Sequence, residues 1–94
     1  MNNVTLVELL LAKDIENKLI KIAADLSPMI EINDTKIIDV DFQDEGYFDS
    51  FQLIEFIRRL EVSFGINLSA DIILSNEFRT FRGIAGIIEK WQYD

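Results

Sequence analysis

The sequence predicts an all-α fold: a small four-helix bundle of three longer helices and one short helix, with a long loop between helices one and two. Apolar residues recur at spacings of three and four in separate segments, which is the period of an amphipathic helix. Glycine and proline, which interrupt helices, number only 4 and 1 among 94 residues. The one segment of alternating apolar residues is short, and no second strand is evident for it to pair with.

The length and composition predict one small domain without catalytic side chains of the usual kinds. We expect residues 1–94 to form a single domain with a small core, since 49% of the residues are hydrophobic. Residues 1–13 would be an N-terminal extension or a continuation of helix one. The absence of Cys and His removes the thiol nucleophile, the disulfide and the commonest general base. We therefore predict that the protein is not an enzyme, and that any reactive group comes from elsewhere.

The net charge of −8 excludes some partners. Nucleic acid is disfavoured because its phosphates would be repelled, whereas basic partners are favoured. The N-terminus lacks the basic start of a signal peptide, and no run approaches the roughly 18 apolar residues of a spanning helix. From these features we expect a cytoplasmic protein without a membrane span. We also expect a monomer.

The first helix is predicted from about Thr5 to Leu26. Its apolar face is formed by residues spaced four and three apart: Ile15, Leu19, Ile22 and Leu26. Thr5-x-x-Glu8 has the form of a capping box, whereas Asp14 could cap a shorter helix. The pattern leaves open one long helix or a short turn followed by a helix. Ser27-Pro28 ends the segment, because proline disfavours the helical conformation in the preceding residue.

Residues 29–49 are predicted to form a loop pinned by apolar side chains that show no sustained helical period: Ile30, Ile32, Ile37, Ile38, Val40 and Phe42. The stretch from Glu31 to Ser50 holds seven acids and one base, which is −6 of the net charge. A calcium-binding EF-hand loop needs Glu at its twelfth position. Loops that start at Asp39 or Asp41 place Ser50 or Gln52 there, so we predict a solvated acidic loop rather than a calcium site.

The second helix is predicted over Ser50 to Phe64. Its apolar stripe is Leu53, Ile57, Leu60 and Phe64, widened by Ile54 and Phe56. Asp49 and Ser50 are both favoured residues at a helix start, and Gly65 is a terminator.

Two further helices complete the bundle. A short one is capped by Ser69 and carries Ile72, Ile73 and Leu74. The last begins at Thr80 and runs to about Trp91, and one of its faces is apolar: Phe81, Ile84, Ala85 and Ile88.

Ser50 lies at the first turn of the best-defined helix, where three roles compete. A structural N-cap is the role that propensity favours. An activated nucleophile lacks a His to serve as its base. A site for a phosphate-linked group would benefit from the unpaired N–H groups and the positive dipole end of the helix. Physical chemistry alone favours the N-cap.

The residues around Ser50 resemble those of acyl carrier proteins. Asp49-Ser50-Phe51 is similar to the Asp-Ser-Leu motif of that family, and the likeness extends over about residues 14 to 92. It includes segments similar to the family's first helix, the end of its second helix and the start of its last helix: Ile15-Glu16-Asn17-Lys18-Leu19, Leu60-Glu61-x-x-Phe64-Gly65-Ile66-x-Leu68 and Thr80-Phe81-x-Gly83-Ile84-Ala85.

The resemblance implies a carrier whose serine bears a 4′-phosphopantetheine arm, derived from coenzyme A, that holds an acyl or aminoacyl group as a thioester. It implies three kinds of partner: a phosphopantetheinyl transferase, an acyl- or aminoacyl-loading ligase, and a downstream acyltransferase or synthase. Ser50 takes the attachment role, and Asp49 lies where contacts to the transferase and the arm are expected. The partner-binding positions of the family's second helix correspond to Phe51, Ile54 and Glu55. Phe51 is either a docking residue or a staple against the preceding loop.

Three departures from the fatty-acid carriers indicate a dedicated biosynthetic pathway with its own ligase. Phe51 stands where those carriers usually have Leu, and Gly46 lies four residues before Ser50 rather than three. Both features are more similar to D-alanyl carrier proteins and other stand-alone aminoacyl carriers. Arg58 and Arg59 place positive charge on a helix that is typically acidic, which would weaken docking to a basic enzyme patch. The alternative is a helical protein–protein interaction module in which Ser50 is only an N-cap.

Overall fold

The computed structural model describes residues 6–93, and within them the chain forms four α-helices and two short 3₁₀ turns. The helices are α1 (Leu6–Leu26), α2 (Ser50–Phe64), α3 (Ala70–Ile73) and α4 (Phe81–Tyr93), and the 3₁₀ turns are Ile37–Asp39 and Asn76–Arg79. None of the described residues lies in a strand. The predicted all-α architecture of three longer helices, one short helix and a long first loop is confirmed.

Helix α1 is one continuous helix that packs against α2 and α4. The capping box predicted at Thr5 lies outside the described residues. Asp14 lies inside α1 and forms an ion pair with Lys18 at 3.3 Å, so its interpretation as the cap of a shorter helix was wrong. The core-facing residues are Ile15, Leu19 and Ala23, while Ile22 and Leu26 are only partly buried.

The loop between α1 and α2 is held by side chains buried in the core: Ile30, Ile37, Ile38 and Phe42. The prediction that Ile32 also pins the loop was wrong, since this residue is 54% exposed. Ile32 lies in a tight turn closed by the hydrogen bond from the N–H of Asp34 to the carbonyl of Glu31 at 3.1 Å. The 3₁₀ turn Ile37–Asp39 instead buries two successive isoleucines where the sequence shows no helical period.

Helix α2 has the predicted bounds, and it ends at Gly65 in the left-handed conformation, with φ of 64°. Its most buried residues are Phe56 and Leu60, whereas Leu53, Ile57 and Phe64 are partly buried. Ile54 does not widen the apolar stripe as predicted, because its side chain is 67% exposed. Ile54 and Phe56 are two positions apart, which places them about 200° apart around the helix.

The C-terminal helices begin at the predicted caps. Ser69 Oγ accepts a hydrogen bond from the backbone N–H of Ile72 at 3.3 Å, and Thr80 Oγ1 accepts one from that of Gly83 at 3.0 Å. The predicted face of α4 is buried: Phe81, Ile84, Ala85 and Ile88. Within residues 6–93, no helix combines the length and the apolar character that crossing a bilayer requires.

Candidate functional site

A complete capping box forms the start of α2. The backbone N–H of Gln52 donates to Asp49 Oδ1 at 2.7 Å, and the backbone N–H of Asp49 donates to Gln52 Oε1 at 2.8 Å. Asp49 is therefore the N-cap, and Ser50 is the first residue of the helix. The N-cap interpretation of Ser50 was wrong by one residue, because propensity alone does not separate two adjacent favoured caps.

Ser50 is exposed at this turn, and no described residue hydrogen-bonds to its hydroxyl. Within residues 6–93, the backbone N–H groups of Ser50 and Phe51 also have no acceptor, as is usual for the first turn of a helix. These groups lie at the positive end of the helix dipole, where a phosphate is favoured. The turn thus presents a hydroxyl next to two N–H donors.

The segment before Ser50 is anchored by the turn at Gly46 and by an aromatic ring. Gly46 adopts a φ of 66°, and its N–H donates to the carbonyl of Gln43 at 3.2 Å. Phe48 then stacks on Phe56 of α2, with their ring centroids 4.9 Å apart. Ser50 follows this anchor by two residues, so its position is set by the core even though its own side chain is exposed.

Phe42 is the centre of an aromatic cluster that joins the loop to the helices. Its ring stacks on Phe81 at 5.0 Å between centroids, and meets Phe56 and Phe78 edge-on at 6.1 and 6.4 Å. All four side chains are fully buried. The interior behind the Ser50 turn is therefore filled by rings.

An open pocket of about 220 Å³ adjoins Ser50. Its lining combines apolar side chains, from Phe42, Phe48 and Leu53, with polar residues, Gln43, Asp49 and Ser50. A group attached to the Ser50 hydroxyl would have this pocket beside it.

Arginines from the C-terminal part of the chain neutralise part of the acidic loop. Arg79 Nε contacts Asp41 Oδ2 at 2.6 Å, and Arg79 Nη2 contacts Asp44 Oδ1 at 2.9 Å. Arg82 Nε contacts Asp39 Oδ1 at 2.6 Å. The hydrogen bond from the backbone N–H of Asp44, followed by that from the Arg79 guanidinium, holds the pKa of Asp41 below its ordinary value. Three of the seven acids between Glu31 and Ser50 are thus paired within the protein.

The outer face of α2 places apolar and charged side chains next to Ser50. Phe51 is 83% exposed, so its interpretation as a staple against the preceding loop was wrong. Ile54 is also largely exposed, and Glu55 is paired with Arg58 through contacts of 2.7 and 3.3 Å. The hydrogen bond from Arg58 lowers the pKa of Glu55. The predicted partner-binding residues therefore share one solvent-facing surface with little net charge.

Two residues of this site were missed in the sequence. Gln52 had a local signal, because Asp49-x-x-Gln52 has the spacing of a capping box. Arg79 had no such signal, since it lies 38 residues from its partner Asp41.

A calcium site was the alternative for the acidic loop. No group of three or more acidic side chains in residues 6–93 is arranged to hold a metal ion.

A family model described as "Phosphopantetheine attachment site" matches residues 17–88, which is more than half of the chain. No curated protein and no solved structure gives a significant match.

Proposed function

Because the chain belongs to the family of carrier proteins that bear a phosphopantetheine attachment site, we propose that Ser50 is the attachment residue and that the arm delivers an acyl or aminoacyl group to partner enzymes. Members of this family bind 4′-phosphopantetheine covalently and work with a phosphopantetheinyl transferase and biosynthetic enzymes. The observation that carries the assignment of Ser50 is its exposed hydroxyl. That hydroxyl is not needed to cap α2, because Asp49 is the N-cap.

The residues around Ser50 suit a phosphate-linked group. The N–H groups of Ser50 and Phe51 and the positive end of α2 would stabilise the phosphodiester anion. Phe48 and Leu53 supply an apolar wall for the arm beside the attachment point. When attached, the arm supplies a terminal thiol that holds the carried group as a thioester.

In the attachment reaction this chain supplies the nucleophile and the transferase supplies the base. Ser50 Oγ forms a bond to the phosphorus that carries the pantetheine, the pyrophosphate bond of coenzyme A breaks, and adenosine 3′,5′-bisphosphate leaves. The chain has no His, and Asp49 Oδ1 already accepts a hydrogen bond from Gln52. We propose that the hydroxyl proton passes to a group of the transferase, while Asp49 holds the turn through Oδ1.

The cargo and its partners are proposed from the surroundings of Ser50. The interior is filled by the rings of Phe42, Phe56, Phe78 and Phe81, so we favour an aminoacyl or short acyl group over a long chain. A dedicated loading ligase and a downstream acyltransferase or synthase would contact Phe51, Ile54 and Glu55. Because Glu55 is paired with Arg58, apolar contact would dominate this docking. We further propose a cytoplasmic, single-domain monomer.

Intact-mass analysis after co-expression with a broad-specificity transferase tests the attachment site. We expect the wild-type protein to gain the mass of one phosphopantetheine and the Ser50→Ala variant to gain none. Ser63→Ala is the matched control, because Ser63 is an exposed serine on the same helix, and this variant should be modified like the wild type. Absence of a gain in the wild type, or a gain that persists in Ser50→Ala, would refute the assignment.

Unfolding measurements separate the carrier from the interaction module with Ser50 as its cap. Since Asp49 is the N-cap, Ser50→Ala should change the free energy of unfolding by less than about 0.5 kcal/mol. Asp49→Ala removes the cap and should cost about 0.5–2 kcal/mol. A larger cost for Ser50→Ala than for Asp49→Ala would instead support the interaction module in which Ser50 is the N-cap.

A further inference from the structure

The side chain of Gln52 makes hydrogen bonds in two directions. Its Oε1 accepts from the backbone N–H of Asp49 at 2.8 Å, which completes the capping box of α2. Its Nε2 donates to the backbone carbonyl of Leu26 at 2.8 Å. Leu26 is the last residue of α1, where helix carbonyls lack intrahelical partners. One side chain therefore joins the end of α1 to the start of α2.

The contact with Leu26 explains why this position holds glutamine. A glutamate would complete the capping box equally well, and the positive end of the α2 dipole would favour its negative charge. A carboxylate, however, has no hydrogen to donate to the carbonyl of Leu26. The amide is the group that serves both helices at once.

Ser50 lies between this bridge and the aromatic anchor on its other side. Phe48, two residues before Ser50, is fixed by stacking on Phe56, and Gln52, two residues after it, is fixed to Leu26. No described residue hydrogen-bonds to the Ser50 hydroxyl. The two neighbours fix the backbone of Ser50, and with it the direction of the Cα–Cβ bond that carries the hydroxyl.

We infer that Gln52 is a positioning residue for the modification of Ser50: its bridge to Leu26 holds the first turn of α2 in the orientation in which the hydroxyl meets the transferase. This inference rests on the proposed attachment at Ser50. Gln52 does not touch the reacting atoms and acts through the backbone of Asp49 and α2.

Two variants at this position test the bridge. Gln52→Glu keeps the acceptor for the N–H of Asp49 and removes the donor to Leu26, whereas Gln52→Met removes both without adding charge. Gln92→Glu, an exposed position on α4, is the control for the added charge. Each protein is assayed with a broad-specificity transferase at saturating coenzyme A over a range of carrier concentrations. The backbone amides of α2 are followed by hydrogen exchange.

We expect kcat for modification to fall about tenfold in Gln52→Glu and Gln52→Met, because small misplacements of a reacting group cost rate rather than binding. KM should change less than about twofold, and Gln92→Glu should behave like the wild type. Hydrogen exchange should accelerate at Leu53 and remain slow at Leu60. A general loss of stability would instead accelerate exchange at both positions.

The outcomes separate this inference from the proposed function. If the wild-type protein is not modified at Ser50, the attachment site is refuted and the positioning role falls with it. If the wild type is modified and Gln52→Glu and Gln52→Met keep its kcat, or raise KM alone, the attachment site stands and the positioning role is overturned.

Discussion

Two phenylalanine-to-alanine substitutions should destabilise the protein to very different extents, because Phe42 is buried and Phe51 is exposed. Phe42 is 1% exposed and its ring meets four others, whereas Phe51 projects into solvent from α2. The same atoms are removed in both variants. Any difference between them therefore reports the surroundings of the side chain.

The cost of Phe42→Ala follows from its burial. Removing a buried phenylalanine typically costs about 3–5 kcal/mol, and the edge and stacked ring contacts of Phe42 favour the upper part of that range. At roughly 0.05–0.15 kcal/mol per residue, a chain of this size has a free energy of unfolding of about 5–14 kcal/mol. Phe42→Ala thus removes a large fraction of the stability. Phe51→Ala should cost less than about 0.5 kcal/mol.

Urea unfolding followed by far-ultraviolet circular dichroism measures both values. With a slope of about 2 kcal/mol per molar urea, a loss of 4 kcal/mol lowers the midpoint by about 2 M. The same proteins serve as substrates for a phosphopantetheinyl transferase. There we expect Phe51→Ala to raise KM severalfold, because it removes an apolar contact beside Ser50.

Two results would refute the reasoning. A cost above about 1 kcal/mol for Phe51→Ala would mean that its ring packs against the protein after all. A cost below about 1.5 kcal/mol for Phe42→Ala would mean that this ring does not hold the acidic loop to the helices.

Other substitutions test the packing of α4 and the pairing of the acidic loop. Gly83→Ala should destabilise the protein by about 1–3 kcal/mol or more, because a Cβ there would overlap a backbone carbonyl of the second 3₁₀ turn. Gly86→Ala, in the same helix with open space around it, should stabilise it by about 0.5–1 kcal/mol; equal thermal midpoints for the two variants would contradict this packing. Arg79→Gln should lower the urea midpoint at pH 7 and have less effect at pH 3. The reason is that hydrogen bonds from the backbone N–H of Asp44 and then from Arg79 hold the pKa of Asp41 below its ordinary 3.8. The stability that this carboxylate contributes is therefore fully present above pH 3.8, and it is lost as the pH falls through the lower pKa of the folded state. An equal effect at both pH values would show that the pair contributes nothing through its charge.

The accuracy of the sequence prediction depends on how local each signal is. The bounds of α2 were correct because a cap and Gly65 lie at its ends. The proposed attachment at Ser50 rests on the resemblance of the residues around it and not on propensity. Propensity alone misassigned the cap, because Asp49 and Ser50 are equally acceptable there. The predicted stripe included both Ile54 and Phe56, but only Phe56 is buried, so the side of α2 that carries Ile54 was misjudged.

The contacts that shape the acidic loop are not local, and no pattern in the sequence indicates them. Arg79 lies 38 residues from Asp41, and the pairing is visible only once the second 3₁₀ turn is placed beside the loop. The isoleucines of the first 3₁₀ turn have no helical period because the turn is only 3 residues long. The exposure of Phe51 likewise depends on which elements cover α2.

The separation between Asp41 and Arg79 has a consequence for the order in which the protein is synthesised. Leu26, the partner of Gln52, is already in the chain when Gln52 is made. Asp41 waits for a residue 38 positions later, which takes about 2–8 s at 5–20 residues per second. Until Arg79 and Phe81 have been made and released, the loop before Ser50 lacks the guanidinium that pairs with Asp41 and Asp44 and the ring that stacks on Phe42. The acidic loop is therefore among the last parts of the fold to be fixed.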